Sequence, residues 1–341
     1  MFDNHETRSI TKVLVFEFIT GGGFSQAALP DSLATEGLLM LEVMIAELAL
    51  VSAIQVTVLL DWRFNQLSLP LNINAVVVAK DQSVYEILPA LIEQADFIWP
   101  IAPEMDSVLK KITALVEDEG KGLLNSSSEA VAICSDKLIT AQVLQNNAIK
   151  VVNTIQLDEF SSDLIGQWVI KPKDGVGCLN NYLISSEYEF EQVNNKIQCK
   201  SDYIIQPYVK GESLSLSCLF REGKAWLLCC NSQQVEIKRG SFKLNACEVN
   251  ITSNNMEKYQ CLIDLISQAI PGLWGYVGID IIQPELNDPW VVEINPRLTT
   301  SYVGINQALD FNVAVAVLDM VDKDPVIKKM CNKQITVSIT G

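Results

Sequence analysis

Gly278-Ile279-Asp280-Ile281-Ile282 and Val291-Val292-Glu293-Ile294-Asn295-Pro296-Arg297 are the two runs on which the fold reading turns. Between them, Asn287-Asp288-Pro289 is turn chemistry, so the runs are expected to pair as an antiparallel hairpin. With Leu286–Asn287 as the turn centre, Asp280 lies opposite Glu293 on one face. Asn295, two residues on, shares that face by strand periodicity. Two carboxylates side by side repel unless a cation separates them. The flanks Ile279, Ile281, Ile282, Val291, Val292 and Ile294 are apolar, which argues against a pair facing water. Oxygen-only ligation with few carboxylates is the pattern of magnesium bound together with nucleotide phosphates.

Working outward, Trp168-Val169-Ile170-Lys171-Pro172-Lys173-Asp174-Gly175-Val176-Gly177 reads as a buried strand delivering Lys171, followed by a loop with two glycines. Such a loop lets backbone N–H groups approach a polyphosphate, and a lysine supplies a point charge. Tyr203-Ile204-Ile205-Gln206-Pro207-Tyr208-Val209-Lys210-Gly211-Glu212 is a strand running into a short connector, which offers backbone groups to an adenine edge or simply links two strands. Earlier, Ser126–Ser128 suit a helix N-cap before Ala130–Cys134, and Ser135-Asp136-Lys137 opens a helix to about Asn146.

The first third alternates strands at Val13–Phe18, Val56–Leu60, Ala75–Ala79 and Asp96–Ile101 with helices at Thr35–Leu50, Val84–Gln94 and Ser107–Glu117. That alternation implies an open parallel sheet covered by helices on both faces. Beyond Trp168 the chain turns to β, with strands at Asn181–Ile184, Leu214–Phe220 and Ala225–Asn231 and helices at Glu187–Lys196, Asn255–Ala269 and Gly304–Met320. Gly21-Gly22-Gly23 follows the first strand, but Gln26 replaces the last glycine of a dinucleotide fingerprint and no P-loop follows. Either a plain glycine turn or a ligand-cradling loop fits these residues.

Composition narrows the chemistry. Of 341 residues 49% are hydrophobic, enough for a large core, and the net charge is −16 from 25 Lys and Arg against 41 Asp and Glu. So negative a surface repels nucleic acid and anionic lipid. The single histidine, His5, stands in a polar leader expected to lack structure, so histidine-based triads, zinc sites and proton shuttles are excluded. Nine cysteines without a C-x-x-C pair or an export signal read as reduced thiols in a cytoplasmic protein. Leu38–Leu60 is apolar enough to suggest a membrane span, but Glu42, Glu47 and Gln55 favour a buried helix running into a strand.

In this order, Asp136-Lys137, Ile170-Lys171-Pro172 with its glycine loop, Gln206-Pro207-Tyr208-Val209, Gly211-Glu212, Asp280 and Glu293-Ile294-Asn295-Pro296-Arg297 resemble the ATP-grasp superfamily over roughly residues 123–300. The resemblance implies an α/β protein, α+β in its C-terminal part, with a Rossmann-like pre-ATP-grasp domain at residues 1–128. A small lid subdomain with its preceding helices would occupy 129–208, and a catalytic subdomain 209–341. It implies Lys137 and Lys171 on the ATP phosphates, a lid of Asp174, Gly175 and Gly177, and adenine against Gln206, Pro207, Tyr208 and Val209. Gln206 stands where the family often has Glu. Glu212 would reach the ribose. Asp280, Glu293 and Asn295 would hold Mg2+ (or Mn2+ in its place), and Arg297, catalytic together with Lys171, would stabilise the transferring phosphate or the substrate carboxylate. A narrower similarity, in Phe16-Glu17-Phe18, Gly21-Gly22-Gly23-Phe24 and Asn231-Ser232-Gln233, is to the tyramine–glutamate ligase branch, which serves methanofuran synthesis. It implies an ADP-forming ligase joining the γ-carboxylate of glutamate to an aromatic amine. Because strand ends border clefts, Glu17 or the nearby Gly21–Phe24, Gly22 and Gly23 among them, is expected to help bind the second substrate. Another amino-acid ligase, a carboxylase-type enzyme or a nucleotide-binding regulator on the same fold stay open. Partners are small molecules, and the sequence is compatible with a monomer or an oligomer. Among Arg221, Lys238 and Arg239, one is a candidate for the γ-phosphate, with a solvated surface charge as the plainer reading of each.

Overall fold

A computed structural model describes residues 10–160, 165–177, 179–238 and 240–339; His5 and Arg239 lie outside the described residues. The chain opens with β1 (Thr11–Glu17), whose Val13–Phe16 run is buried on both sides, as a central parallel strand requires. Then come α1 (Asp31–Leu48), β2 (Ile54–Asp61), β3 (Ile73–Val78), α2 (Val84–Gln94), β4 (Phe97–Ile101), α3 (Val108–Asp118) and the short β5 (Gly122–Leu123). The five strands form one all-parallel sheet in the order β3-β2-β1-β4-β5, so the predicted alternation holds. The apolar stretch that resembled a membrane span is α1 running into β2. No helix among the described residues is long and apolar enough to cross a membrane.

Two helices, α4 (Ser128–Ser135) and α5 (Lys137–Asn146), lead onward. Each is capped as its sequence suggested: Ser127 accepts from the Ala130 N–H, and Asp136 accepts from Leu138 and Ile139 at 2.8 and 3.1 Å. The second sheet takes β6 (Ile155–Gln156), β7 (Trp168–Pro172), β8 (Tyr182–Ile184), β9 (Tyr203–Pro207), β10 (Glu212–Arg221), β11 (Lys224–Lys238), β12 (Ser241–Val249), β13 (Gly275–Gln283) and β14 (Trp290–Asn295). Between these strands lie α6 (Glu187–Asn194) and α7 (Met256–Ala269). Its order is β14-β13-β10-β11-β12-β8-β7-β9-β6, and its pairings are antiparallel.

The C-terminal part departs from expectation in two places. The predicted helix Gly304–Met320 is two helices, α8 (Tyr302–Leu309) and α9 (Val313–Asp319). Asp310 takes the left-handed conformation at φ 50°, and Asn312 then caps α9 by accepting from Val315 at 2.8 Å. β11 runs seven residues past the predicted Asn231 and pairs with β12, which the sequence reading missed along with β15 (Ile335–Ser338) on its outer edge. A β-bulge at Gln234/Val235 breaks the alternation just where the polar run Ser232-Gln233-Gln234 hid the strand.

The two sheets share a core. Met40, Leu41, Met44 and Leu48 of α1 pack with Tyr302, Ile305, Ala314 and Val317 of α8 and α9. The Glu47 carboxylate sits in that seam, accepting from the Tyr302 hydroxyl at 2.8 Å and the Ala314 N–H at 2.9 Å.

The glycine turn after β1 is a tight helical turn, Ile19–Gly23, buried apart from its last residue. Gly22 has φ 99°, and a Cβ there would meet the Val78 side chain at 2.7 Å. Gly22→Ala is therefore expected to cost roughly 1–3 kcal/mol, seen as a lower urea midpoint at unchanged slope. An unmoved midpoint would show that the turn relaxes freely.

Candidate active site

β13 and β14 carry the centre of the site. Asp280 pairs with Glu293 and Gly278 with Asn295, the register expected from the sequence, and the Asn295 amide donates to Asp280 at 3.2 Å. The assumed turn did not produce that register unaided. The ladder slips by one residue between Asp280 and Ile281, so Ile281 faces Val291 and the connection is centred differently. The bulge leaves the three oxygen-bearing residues on the same side while re-aiming the strand beyond them.

Burial, reinforced by the Glu293 carboxylate, pushes the Asp280 carboxyl up to about 7. Gln233 on β11 donates to its other oxygen at 2.9 Å, and Ser213 in turn donates to Gln233 at 2.8 Å. On the opposite wall, the Lys137 ammonium lies 3.1 Å from Glu293 and donates to the Gly175 carbonyl at 2.8 Å. Asp280, Glu293 and Asn295 fit a divalent cation by their chemistry: oxygen donors meet where like charges otherwise raise an acid's proton affinity. Among the described residues no larger cluster of acidic, Cys or His side chains gathers, so phosphate oxygens or water would have to complete such a shell.

Around this centre opens a cavity of about 430 Å³. Of the residues the sequence singled out, Lys137, Lys171, Gly175, Gly177, Gln206, Pro207, Tyr208, Val209, Asp280, Glu293, Asn295 and Arg297 all line it. Val152, Val169, Ile281, Ile282 and Val292 make the apolar wall beside the Gln206–Val209 segment. The Gln206 amide is engaged with the Thr154 hydroxyl at 2.7 Å.

Several expected residues lie elsewhere. Asp174 is not in the wall; it accepts from the Asp106 N–H at 3.1 Å. Glu212 is exposed and borders a neighbouring polar cavity that shares Ser213 and Gln233 with the main one. Arg221 is paired with Glu222 and Asp324, and Lys238 is absent from the wall. Glu17, Gly22 and Gly23 are also outside it. Glu17 is 2% exposed and accepts from Ile19 N–H at 3.2 Å, and from the Thr20 N–H and hydroxyl at 2.6 Å each, closing the helical turn. Burial raises its pKa, and the Thr20 bonds oppose that rise.

Two acids at or behind the cavity wall went unforeseen. Glu36 of α1 faces the cavity and accepts from the Thr300 hydroxyl at 2.9 Å. Glu104 holds Arg297 bidentately at 2.8 and 2.8 Å. Its position just past β4 is the signal that could have found it, because clefts open at the carboxyl ends of parallel strands. Of the Asn231-Ser232-Gln233 run, Gln233 reaches the site, while Asn231 is buried and donates to the Ser215 carbonyl and Ser217 hydroxyl.

A family model described as the pre ATP-grasp 3 domain matches residues 54–131, and one described as the ATP-grasp domain matches residues 134–301. The tyramine–L-glutamate ligase of Methanocaldococcus jannaschii is 26% identical over 299 residues, covering 87% of this chain and 85% of that protein. Its counterpart in Methanocaldococcus fervens is 26% identical over 302 residues, covering 86% and 89%. Among solved structures, an ATP-grasp superfamily protein from Archaeoglobus fulgidus superposes with a TM-score of 0.73 at 24% identity, over 96% of this chain and 92% of that one. The L-amino acid ligase of Bacillus licheniformis gives 0.68 at 13% identity, over 94% and 76%. At these identities the two structures speak to the fold.

Replacing Glu17 by Gln puts an NH2 group among three donors that now share one carboxylate. The expected cost is about 1–3 kcal/mol of stability, with substrate Michaelis constants unmoved. A raised Michaelis constant at unchanged stability would instead return Glu17 to the substrate.

Proposed function

This chain belongs to the ATP-grasp superfamily of ATP-dependent ligases, and from that premise we propose that it activates a carboxylate as an acyl phosphate and joins it to an amine, releasing ADP and phosphate. The substrates are glutamate, through its γ-carboxylate, and tyramine or a related aromatic amine. The observation that carries the reading is the Asp280–Glu293–Asn295 face set against Lys137 in a cavity that Lys171 and the glycine loop also line. The near full-length similarity to two tyramine–L-glutamate ligases supports the substrate pair and a place in methanofuran synthesis.

In this proposal adenine lies against Val169, Ile281 and Val292, with its edge toward the Gln206–Val209 backbone. The ribose end points toward Gly211 and the Glu212 side. Lys137 and Lys171 hold the phosphates, and backbone groups at Gly175–Gly177 close over them. Asp280, Glu293 and Asn295 hold Mg2+, which when bound would neutralise charge between the phosphate oxygens. Lys137 already spans Glu293 and the glycine loop, so it ties the metal side of the cavity to the lid side.

The acid's carboxylate oxygen attacks the γ-phosphorus as the bond to the β-phosphate oxygen breaks and ADP departs. The amine nitrogen then attacks the acyl carbon, phosphate leaves, and the amine gives up a proton. The chain's contribution is positioning and exclusion of water, because an acyl phosphate exposed to water is simply hydrolysed. Arg297, fixed by Glu104, faces the reacting carboxylate or phosphate as an oriented guanidinium.

Nucleotide turnover with magnesium and glutamate, with and without tyramine, is the direct test. ADP and phosphate should accumulate only with both substrates. ADP with a different acid–amine pair would keep the ligase and discard the pair, and AMP with pyrophosphate would remove the acyl phosphate. Asp280→Asn and Glu293→Gln should each lower kcat on the order of 10²-fold or more while the unfolding transition stays intact. Turnover surviving both would sink the metal assignment.

A further inference from the structure

One wall of the cavity is built by α1 and the segment after β14. Glu36 enters it from α1, with Met40 one turn further along the same face. The Thr300 hydroxyl is the hydrogen-bond donor on Glu36. Arg297 is the cation whose field reaches Glu36, and the same guanidinium acts on Glu17, Glu104 and Glu293. Glu104 takes the Nε and one terminal nitrogen of that guanidinium, and the other terminal nitrogen donates to the Leu298 carbonyl at 3.1 Å. The other two cations in the wall, Lys137 and Lys171, come from α5 and β7, and Lys137 sits on Glu293. Glu36 therefore faces the cavity with the Thr300 hydroxyl on it and, among the described residues, no cation in ion-pair contact.

We propose that Glu36 forms the subsite for the ammonium group of the amine co-substrate, and that the co-substrate is a primary amine carrying no carboxylate of its own. This rests on the ligase reading given above. An amine protonated in solution pairs its positive charge with Glu36 and donates to the Glu36 oxygens directly. An amino acid in the same place would set its own carboxylate against that of Glu36, and like charges repel. Met40, Val235 and Leu244 line the same cavity, so the body of the amine meets thioether and aliphatic surface. The subsite thus selects on two counts, by charge at one end and by apolar contact along the rest. Burial, opposed by Thr300 and Arg297, raises the Glu36 pKa, and an incoming cation would counter that rise.

The test compares acceptors on the full-length enzyme with ATP, magnesium and glutamate. Tyramine carries the cation, tyrosine adds a carboxylate to the same body, and hydroxylamine is a small acceptor, uncharged at neutral pH, that traps the acyl phosphate as a hydroxamate. The wild-type kcat/KM for tyramine should exceed that for tyrosine at least ten-fold. Glu36→Gln keeps an oxygen for Thr300 but removes the charge. It should lower the ratio of kcat/KM for tyramine to that for hydroxylamine at least ten-fold, through the tyramine KM. A proportional fall with both acceptors would make Glu36 a structural tie to Thr300, and an unchanged ratio or a wild-type preference for tyrosine would overturn the subsite. Absence of both hydroxamate and ADP in the wild type would instead overturn the ligase reading itself.

Discussion

Two carboxylates facing each other across a buried β-ladder are the constraint around which this molecule is arranged. Asp280 and Glu293 are fixed opposite one another by backbone pairing, so neither can move away without breaking the sheet. Their repulsion shows in the proton affinity of Asp280, raised to about 7 by burial and by Glu293. The surroundings answer that charge in layers. Gln233 and Asn295 donate to Asp280, and Lys137 reaches Glu293 from the start of α5. What remains is a polar centre with oxygen donors on one wall and lysines on the other, which is an arrangement for a metal and a polyphosphate together.

The parallel sheet contributes acids to the same region. Glu36 and Glu47 of α1, and Glu104 just beyond β4, all dock on the segment that follows β14, through Thr300, Tyr302 with Ala314, and Arg297 respectively. In the Glu104–Arg297 ion pair, removing one partner would leave an uncompensated buried charge, which is far costlier than the pair is beneficial. The contacts therefore specify how the two sheets meet. Apolar burial between α1 and the α8–α9 pair supplies the gross driving force for that meeting. Because Arg297 is also in the cavity wall, the junction and the candidate site are one piece of structure.

Much of this was legible along the chain. β1 and the helices α2, α4 and α5 appear where apolar periodicity and caps put them. The polar face Asp280–Glu293–Asn295 followed from strand alternation across a short turn. The misses have separate physical causes. α8 and α9 were run together because continuous apolar periodicity outweighed Asp310 and Asn312, whose short polar side chains tolerate a left-handed residue and cap a new helix. β11 was cut short because its far half is polar and bulged, so no alternation announces it. Glu17 looked like a ligand at a strand end, yet its oxygens are satisfied by the turn that follows it.

The sequence by itself determined the local features: where strands and helices form, and which side chains share a face. Those depend on periods of two and 3.6 residues and on caps within a few positions, interactions that a short window contains. Only the tertiary structure decided that Glu104 would grip Arg297 across 193 positions of chain, or Glu36 meet Thr300 across 264. Such contacts depend on how two whole layers settle against each other, which follows from the summed packing of α1 on α8 and α9 and from no single stretch of residues.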